Sequence, residues 1–187
     1  MSRNPAVQAF VDQSATALRA ACMGEALRAA ETVIARLGTV GGPGVAAARV
    51  PVCDWVGRAL SDVPQARAAL GAAFAAVEGQ LRWAPRAGSE GAFRDSHANA
   101  VILGPGGLEV RTDVWVGVTV MAPGVQYVDH DHAPEEVYLP LSPGEWWNAR
   151  MDWTDPGPAG GIYNPPGIRH AMRSGDGPFL ALWYLPL

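Results

Sequence analysis

Cysteine is scarce in this chain of 187 residues: only Cys22 and Cys53 carry thiols, and neither has a CxxC partner. That excludes a zinc-finger set, a disulfide framework and a dithiol redox motif, and both residues are read as reduced thiols. Long apolar runs are missing as well. No uninterrupted stretch approaches the roughly 20 residues of a membrane span, and Asn4, Gln8, Asp12 and Gln13 break the N-terminus where a secretory leader needs an apolar run. The expected address is the cytoplasm. Charge of either sign is thin, with a net charge of -4 and basic residues scattered along the chain. Such a chain has no field to attract nucleic acid or a membrane surface, so a small soluble ligand is the expected partner, bound by a monomer or a homodimer. There is no internal repeat, low-complexity tract or charged tail.

What is present divides into two periods. Residues 4–37 read as helix, with Asn4 as N-cap, Pro5 in the first helical position and apolar side chains at Val7, Phe10, Val11, Leu18, Leu27, Val33, Ile34 and Leu37. Gly24 is placed to divide it. After the glycine-rich break 38–44, a second helical run opens at Pro64, carries Leu70, Phe74, Val77 and Leu81, and ends near Trp83. From about residue 100 the period becomes two. Short β-rich runs at 100–103, 108–111, 114–121, 126–129, 136–141, 146–153, 161–163, 169–173 and 179–185 are separated by Gly-Pro and Pro-Gly turns. In 114–120 the valines take alternate positions and share one face. So many short strands predict a small barrel or sandwich: a mainly β fold with α, in which a helical region 1–95 packs on a β-barrel 96–187.

The densest chemistry lies between Gly124 and Tyr138. Residues two apart in an extended chain face one way, so His130 and His132 can converge, their backbones about 6 to 7 Å apart. Pro134 interrupts the strand, and Glu136 and Tyr138 again share a side beyond it. Two imidazoles and a carboxylate suit zinc, iron, manganese, nickel or cobalt better than calcium or magnesium. The stretch Asn164-Pro165-Pro166-Gly167-Ile168-Arg169-His170 is a rigid turn that delivers a further histidine onto the next strand. His97, without such neighbours, reads as an ordinary core or surface residue, and Glu135, of opposite parity to Glu136, as solvated or supporting.

These two segments resemble the cupin motifs, Gly-x5-His-x-His-x3-Glu and Pro-x-Gly-x2-His. Gly144 falls one residue late for the closing glycine of the first, and Ser174 stands where the second usually has Asn. The resemblance implies a double-stranded β-helix barrel and one divalent metal ion held by His132, Glu136, His170 and His130.

Over nearly its whole length the chain resembles the cupin-type dimethylsulfoniopropionate lyases of marine bacteria. The likeness rests on the helical first half, the block His132 to Tyr138, Tyr127 five positions before His132, and the closing Pro-Pro-Gly-x-x-His. It implies cleavage of a sulfonium carboxylate to acrylate and dimethyl sulfide by β-elimination. Tyr138 and Tyr127 are the candidate bases, Tyr138 first because it shares a side with Glu136; Tyr127 has the wrong parity relative to His130 unless a bulge intervenes. The sulfonium needs aromatic faces, for which Trp183, Tyr163 and Trp153 are candidates among the barrel aromatics. The motif alone also admits an Fe(II) dioxygenase acting on a small metabolite, or a non-catalytic metal- or ligand-binding cupin.

Overall fold

The computed structural model describes residues 2–187. Helix α1 (Pro5–Ala21) starts where Asn4 caps it, the Asn4 side chain accepting from the Ala6 N–H at 2.9 Å. Gly24, at φ +55°, breaks the helical run, and α2 (Gly24–Leu37) follows. The second helical run is shorter than its apolar pattern suggests. Residues Gln65–Arg67 make a 3-10 turn after Pro64, and α4 (Ala68–Glu78) stops well before Trp83. Two short helices escaped the periodicity because neither completes two regular turns of apolar spacing: α3 (Trp55–Ser61) and α5 (Gly91–Ser96).

A seven-stranded sheet runs in the order β1 (Gly42–Pro43), β3 (Glu109–Val110), β2 (His97–Leu103), β4 (Val114–Met121), β10 (Phe179–Pro186), β5 (Glu136–Pro140), β8 (Ile162–Asn164). A three-stranded sheet, β7 (Met151–Thr154), β6 (Glu145–Asn148), β9 (His170–Arg173), faces it. The single strand expected at 146–153 is therefore a hairpin. Asn148 turns the chain, its side-chain oxygen accepting the Arg150 N–H at 2.9 Å. The strand expected at 126–129 is only two isolated pairings, Gln126 with Arg173 and His130 with His170.

The large sheet is covered on both faces, so its strands lose the polar-outward half of the alternation. Val114, Val116, Val118 and Val120 of β4, Val137 and Leu139 of β5, and Leu180, Leu182 and Tyr184 of β10 join one core with Phe10, Leu18, Val33 and Phe74 of the helices. The intervening residues, Met121, Tyr138, Phe179, Ala181, Trp183 and Leu185, point the other way and pack with Tyr127, Trp146 and Met172 inside the barrel. The helices are thus a coat on the outer face of the sheet, while the barrel interior is left for the site. Among the described residues no helix is long and apolar enough to cross a membrane.

Candidate functional site

His130 and His170 form an antiparallel pair in which each N–H donates to the other's carbonyl, at 3.0 and 2.9 Å. That locks both rings on one side, with centroids 4.1 Å apart. The loop carrying His132 is tied to the turn before His170, the Gly167 N–H donating to His132 O at 3.0 Å. Gly167 sits at φ +67°, which is why a glycine occupies that turn. Glu136 opens β5 opposite Asn164, whose amide donates to its Oε2 at 3.4 Å; the Asn148 amide in turn donates to Asn164 at 3.1 Å. Asn148 carried no signal in the sequence, and Asn164 entered only as the first residue of the turn before His170.

Three of these side chains, His130, His132 and His170, bring ligand atoms within 4.8 Å of one another. Their tautomers follow from chemistry. Each Nδ1 meets a backbone carbonyl: Val128 O at 3.0 Å for His130, Pro134 O at 2.9 Å for His132, Ile168 O at 2.9 Å for His170. A carbonyl only accepts, so each Nδ1 carries the proton and each Nε2 offers a lone pair. The Nε2 atoms of His132 and His170 both stand 3.3 Å from Glu136 Oε2, acceptor against acceptor, and His170 Nε2 is buried with no hydrogen-bond partner. Such an arrangement calls for a cation between the donors. The residues therefore fit a divalent metal ion, and the cluster is a candidate metal site.

The electrostatics show the same demand for positive charge at this point. Burial alone would raise the Glu136 carboxyl, and it is held at about 2 only by imidazoles that carry a proton at Nε2, the charge that a bound cation supplies in their place. Burial, and then His170, lower His130 to about 4, so its ring stays neutral. For His132 burial acts downward, yet the Glu136 carboxylate outweighs it and raises the ring.

A cavity of about 470 Å³ opens beside these groups and is lined by both tyrosines. Tyr138 lies beneath it, its phenol pushed well above the ordinary range by burial and then by the Glu136 charge. Tyr127 reaches the cavity because a bulge does intervene. Four residue steps from Gln126 to His130 oppose three from Arg173 to His170, and the extra residue brings Tyr127 and His130 to one side. Burial raises Tyr127, while Asn99 and Arg86 act in the opposite direction.

Trp183 also lines the cavity, its indole N–H donating to Thr119 Oγ1 at 3.2 Å and its ring meeting Trp115 edge-on with centroids 5.5 Å apart. Tyr163 and Trp153 do not. On β8 it is Ile162 that faces inward, so Tyr163 turns to the helical coat, where its hydroxyl donates to Glu135 at 2.7 Å beside Arg28. Trp153 lies on β7 under the Arg173 guanidinium, 4.3 Å from its ring centroid. Three parts of the cavity carried no recognised signal: Trp115 and Thr119 of β4, Asn99 of β2, and the stretch from Arg82 to Ala87 between α4 and β2, which forms one wall. His97 is a satisfied core histidine, accepting the Arg86 N–H at 3.0 Å and stacked on Phe93.

Two facing sheets, with Glu136 on the large one and His170, paired with His130, on the small one, are the arrangement of a cupin. The chain belongs to the dimethylsulfoniopropionate lyase family, whose model matches residues 25–181. It is 33% identical over 125 residues to the dimethylsulfoniopropionate lyase DddQ of Ruegeria pomeroyi, a match that takes in 63% of this chain and spans 60% of the length of that relative. The crystal structure of DddQ from Ruegeria pomeroyi DSS-3 resembles it with a TM-score of 0.73 and 26% identity, over 99% of this chain and 93% of that one. A structure from a study of the dimethylsulfoniopropionate lyases RdDddP and RnDddQII shares the fold with a TM-score of 0.72, at 20% identity over 97% of this chain and 92% of that one.

Proposed function

We propose that this protein is a carbon-sulfur lyase that cleaves dimethylsulfoniopropionate to acrylate and dimethyl sulfide. The observation that carries this reading is the set of facing lone pairs on His130, His132, His170 and Glu136 beside two buried tyrosines. These four residues hold one divalent transition ion, drawn from zinc, iron, manganese, nickel and cobalt. When bound, the ion supplies a Lewis acid that offsets the Glu136 charge next to Tyr138, neutralises the substrate carboxylate and stabilises charge growing on the adjacent carbon.

The protein's own groups do the rest. Tyr138 Oη, as the phenolate after its own proton has passed to solvent, takes the proton from the carbon beside the carboxylate; the C–H pair becomes the new C=C bond, the C–S bond breaks, and its pair leaves on sulfur as dimethyl sulfide. Tyr127, the second candidate base, borders the same space. The faces of Trp183 and Trp115 receive the sulfonium, which accepts no hydrogen bond and is held by aromatic quadrupoles. The helical region 1–95 braces the barrel 96–187, and the protein works in the cytoplasm as a monomer or homodimer on a small-molecule substrate.

The test is release of dimethyl sulfide into the headspace by purified protein loaded in turn with each of the five metals. Release with at least one is expected; no release with any ends this reading. Oxygen uptake separates it from an Fe(II) dioxygenase, because elimination consumes none.

A further inference from the structure

All fourteen basic residues of this chain are arginine. Eight of them are ion-paired to a carboxylate: Arg3, Arg19, Arg28, Arg49, Arg58, Arg111, Arg169 and Arg173. Arg36 and Arg67 donate to backbone carbonyls instead. Among the described residues that leaves four, of which Arg82, Arg94 and Arg150 are exposed. Arg86 is different. It is half-buried, it lines the cavity, and its Nη1 is buried with no hydrogen-bond partner.

Its placement is built rather than incidental. The Arg86 N–H donates to His97 Nε2 at 3.0 Å, and its carbonyl accepts from Ser89 through both the N–H at 3.1 Å and the hydroxyl at 2.6 Å. The backbone is thus pinned on either side of the α-carbon, against a histidine that is itself fully buried and stacked on Phe93. From that platform the guanidinium extends over the Tyr127 ring, 5.9 Å from its centroid. A guanidinium over an aromatic face keeps its N–H edge free, and that edge matches a carboxylate. A permanent cation here would oppose a sulfonium. It favours the anionic end of a zwitterion and sends the cationic end toward Trp183 and Trp115.

We propose that Arg86 is the orienting residue of the cavity, donating to the carboxylate of a small substrate or of its unsaturated acid product. The inference rests on the lyase reading for the identity of that carboxylate, but its test reads binding and not turnover. Propionate stands in for the anionic end and trimethylsulfonium for the cationic end, each titrated calorimetrically into metal-loaded protein. Arg86→Gln is expected to weaken propionate by about tenfold or more, with bound metal, melting temperature and trimethylsulfonium affinity kept, and Arg86→Lys to recover part of the loss. Unchanged propionate affinity in Arg86→Gln overturns the proposal, as does an equal loss of both probes. Propionate binding through Arg86 with no dimethyl sulfide released from dimethylsulfoniopropionate would sink the lyase reading alone; cleavage with propionate affinity indifferent to Arg86 would sink this one alone.

Discussion

The indole nitrogen of Trp183 and the phenolic oxygen of Tyr127 are the two ends of one hydrogen-bond chain that runs through Thr119 and Asn99 in a single direction. An indole N–H only donates, so Thr119 Oγ1 accepts it at 3.2 Å and must pass its own proton to Asn99 Oδ1 at 2.6 Å. Asn99 then presents its amide N–H to Tyr127 Oη at 2.9 Å. The tyrosine oxygen is left as acceptor and its proton is free to face the cavity. Asn99→Leu and Thr119→Val should each lower kcat by about tenfold, while metal content holds. Wild-type kcat in Asn99→Leu would show that the chain serves packing only.

The ligand set and the tyrosines should separate cleanly. His132→Ala and His170→Ala are expected to lose bound metal and dimethyl sulfide release together, read by elemental analysis and headspace assay. Tyr138→Phe should keep the metal and lose turnover by at least about a hundredfold, the lower range for a missing general base. A fully active Tyr138→Phe would move the base to Tyr127, and Tyr127→Phe would then carry the loss.

Gly117 has no room for a side chain. It pairs with Trp183 across the β4–β10 ladder, and a Cβ there would lie 2.3 Å from the Trp183 ring and 2.4 Å from the Ala100 carbonyl oxygen. The ring can shift but the backbone oxygen cannot. Gly117→Ala should therefore cost about 1 to 3 kcal/mol, the usual price of overpacking, and displace Trp183, lowering its affinity for a sulfonium. Chemical denaturation and intrinsic tryptophan fluorescence read the two effects.

The Arg3–Glu109 ion pair, whose residues do not line the cavity, should govern acid stability. Arg3 donates to both oxygens of Glu109, at 2.8 and 3.0 Å, and to the carbonyls of Leu37 and Thr39, joining the ends of the helical coat to β3. Burial pushes the Glu109 carboxyl up, but Arg3, the Gly41 N–H and Arg111 together hold it below the ordinary value of 4.5. A carboxyl lowered in the folded state adds stability that is fully present above pH 4.5 and lost as pH falls through its folded value. Removing Arg3 leaves Glu109 with only the Gly41 N–H at 2.9 Å and Arg111 at 3.8 Å, so Arg3→Met should destabilise by about 1 to 3 kcal/mol. Arg3→Met should also flatten the acid limb of a melting-temperature profile, and an unchanged limb would assign acid sensitivity elsewhere.

That His130, His132, Glu136 and His170 converge could be read from the chain because two short motifs fix both their type and their spacing. His130, His132, Glu136 and His170 are local facts. So is the alternation of Val114 to Val120, which does put four side chains on one face. What could not be read depends on long-range docking. With the large sheet covered on both sides, Trp115 and Thr119 look no different from the valines between them until the direction of the barrel is known. Aromatic character made Tyr163 and Trp153 candidates for holding the sulfonium, but could not tell on which side of their strands they stand. The side of Tyr127 hinged on one extra residue in the pairing with β9, and the wall from Arg82 to Ala87 is ordinary loop sequence whose role exists only where it lands.

Because both faces of that sheet are occupied, neighbouring residues of one strand answer to separate demands. In β5, Glu136 and Tyr138 serve the chamber while Val137 and Leu139 serve the coat. Point changes at every second position can therefore retune what the chamber accepts without loosening the scaffold. A single inserted residue in β5 would do the reverse, turning a valine toward the ligand and driving the glutamate into the helices.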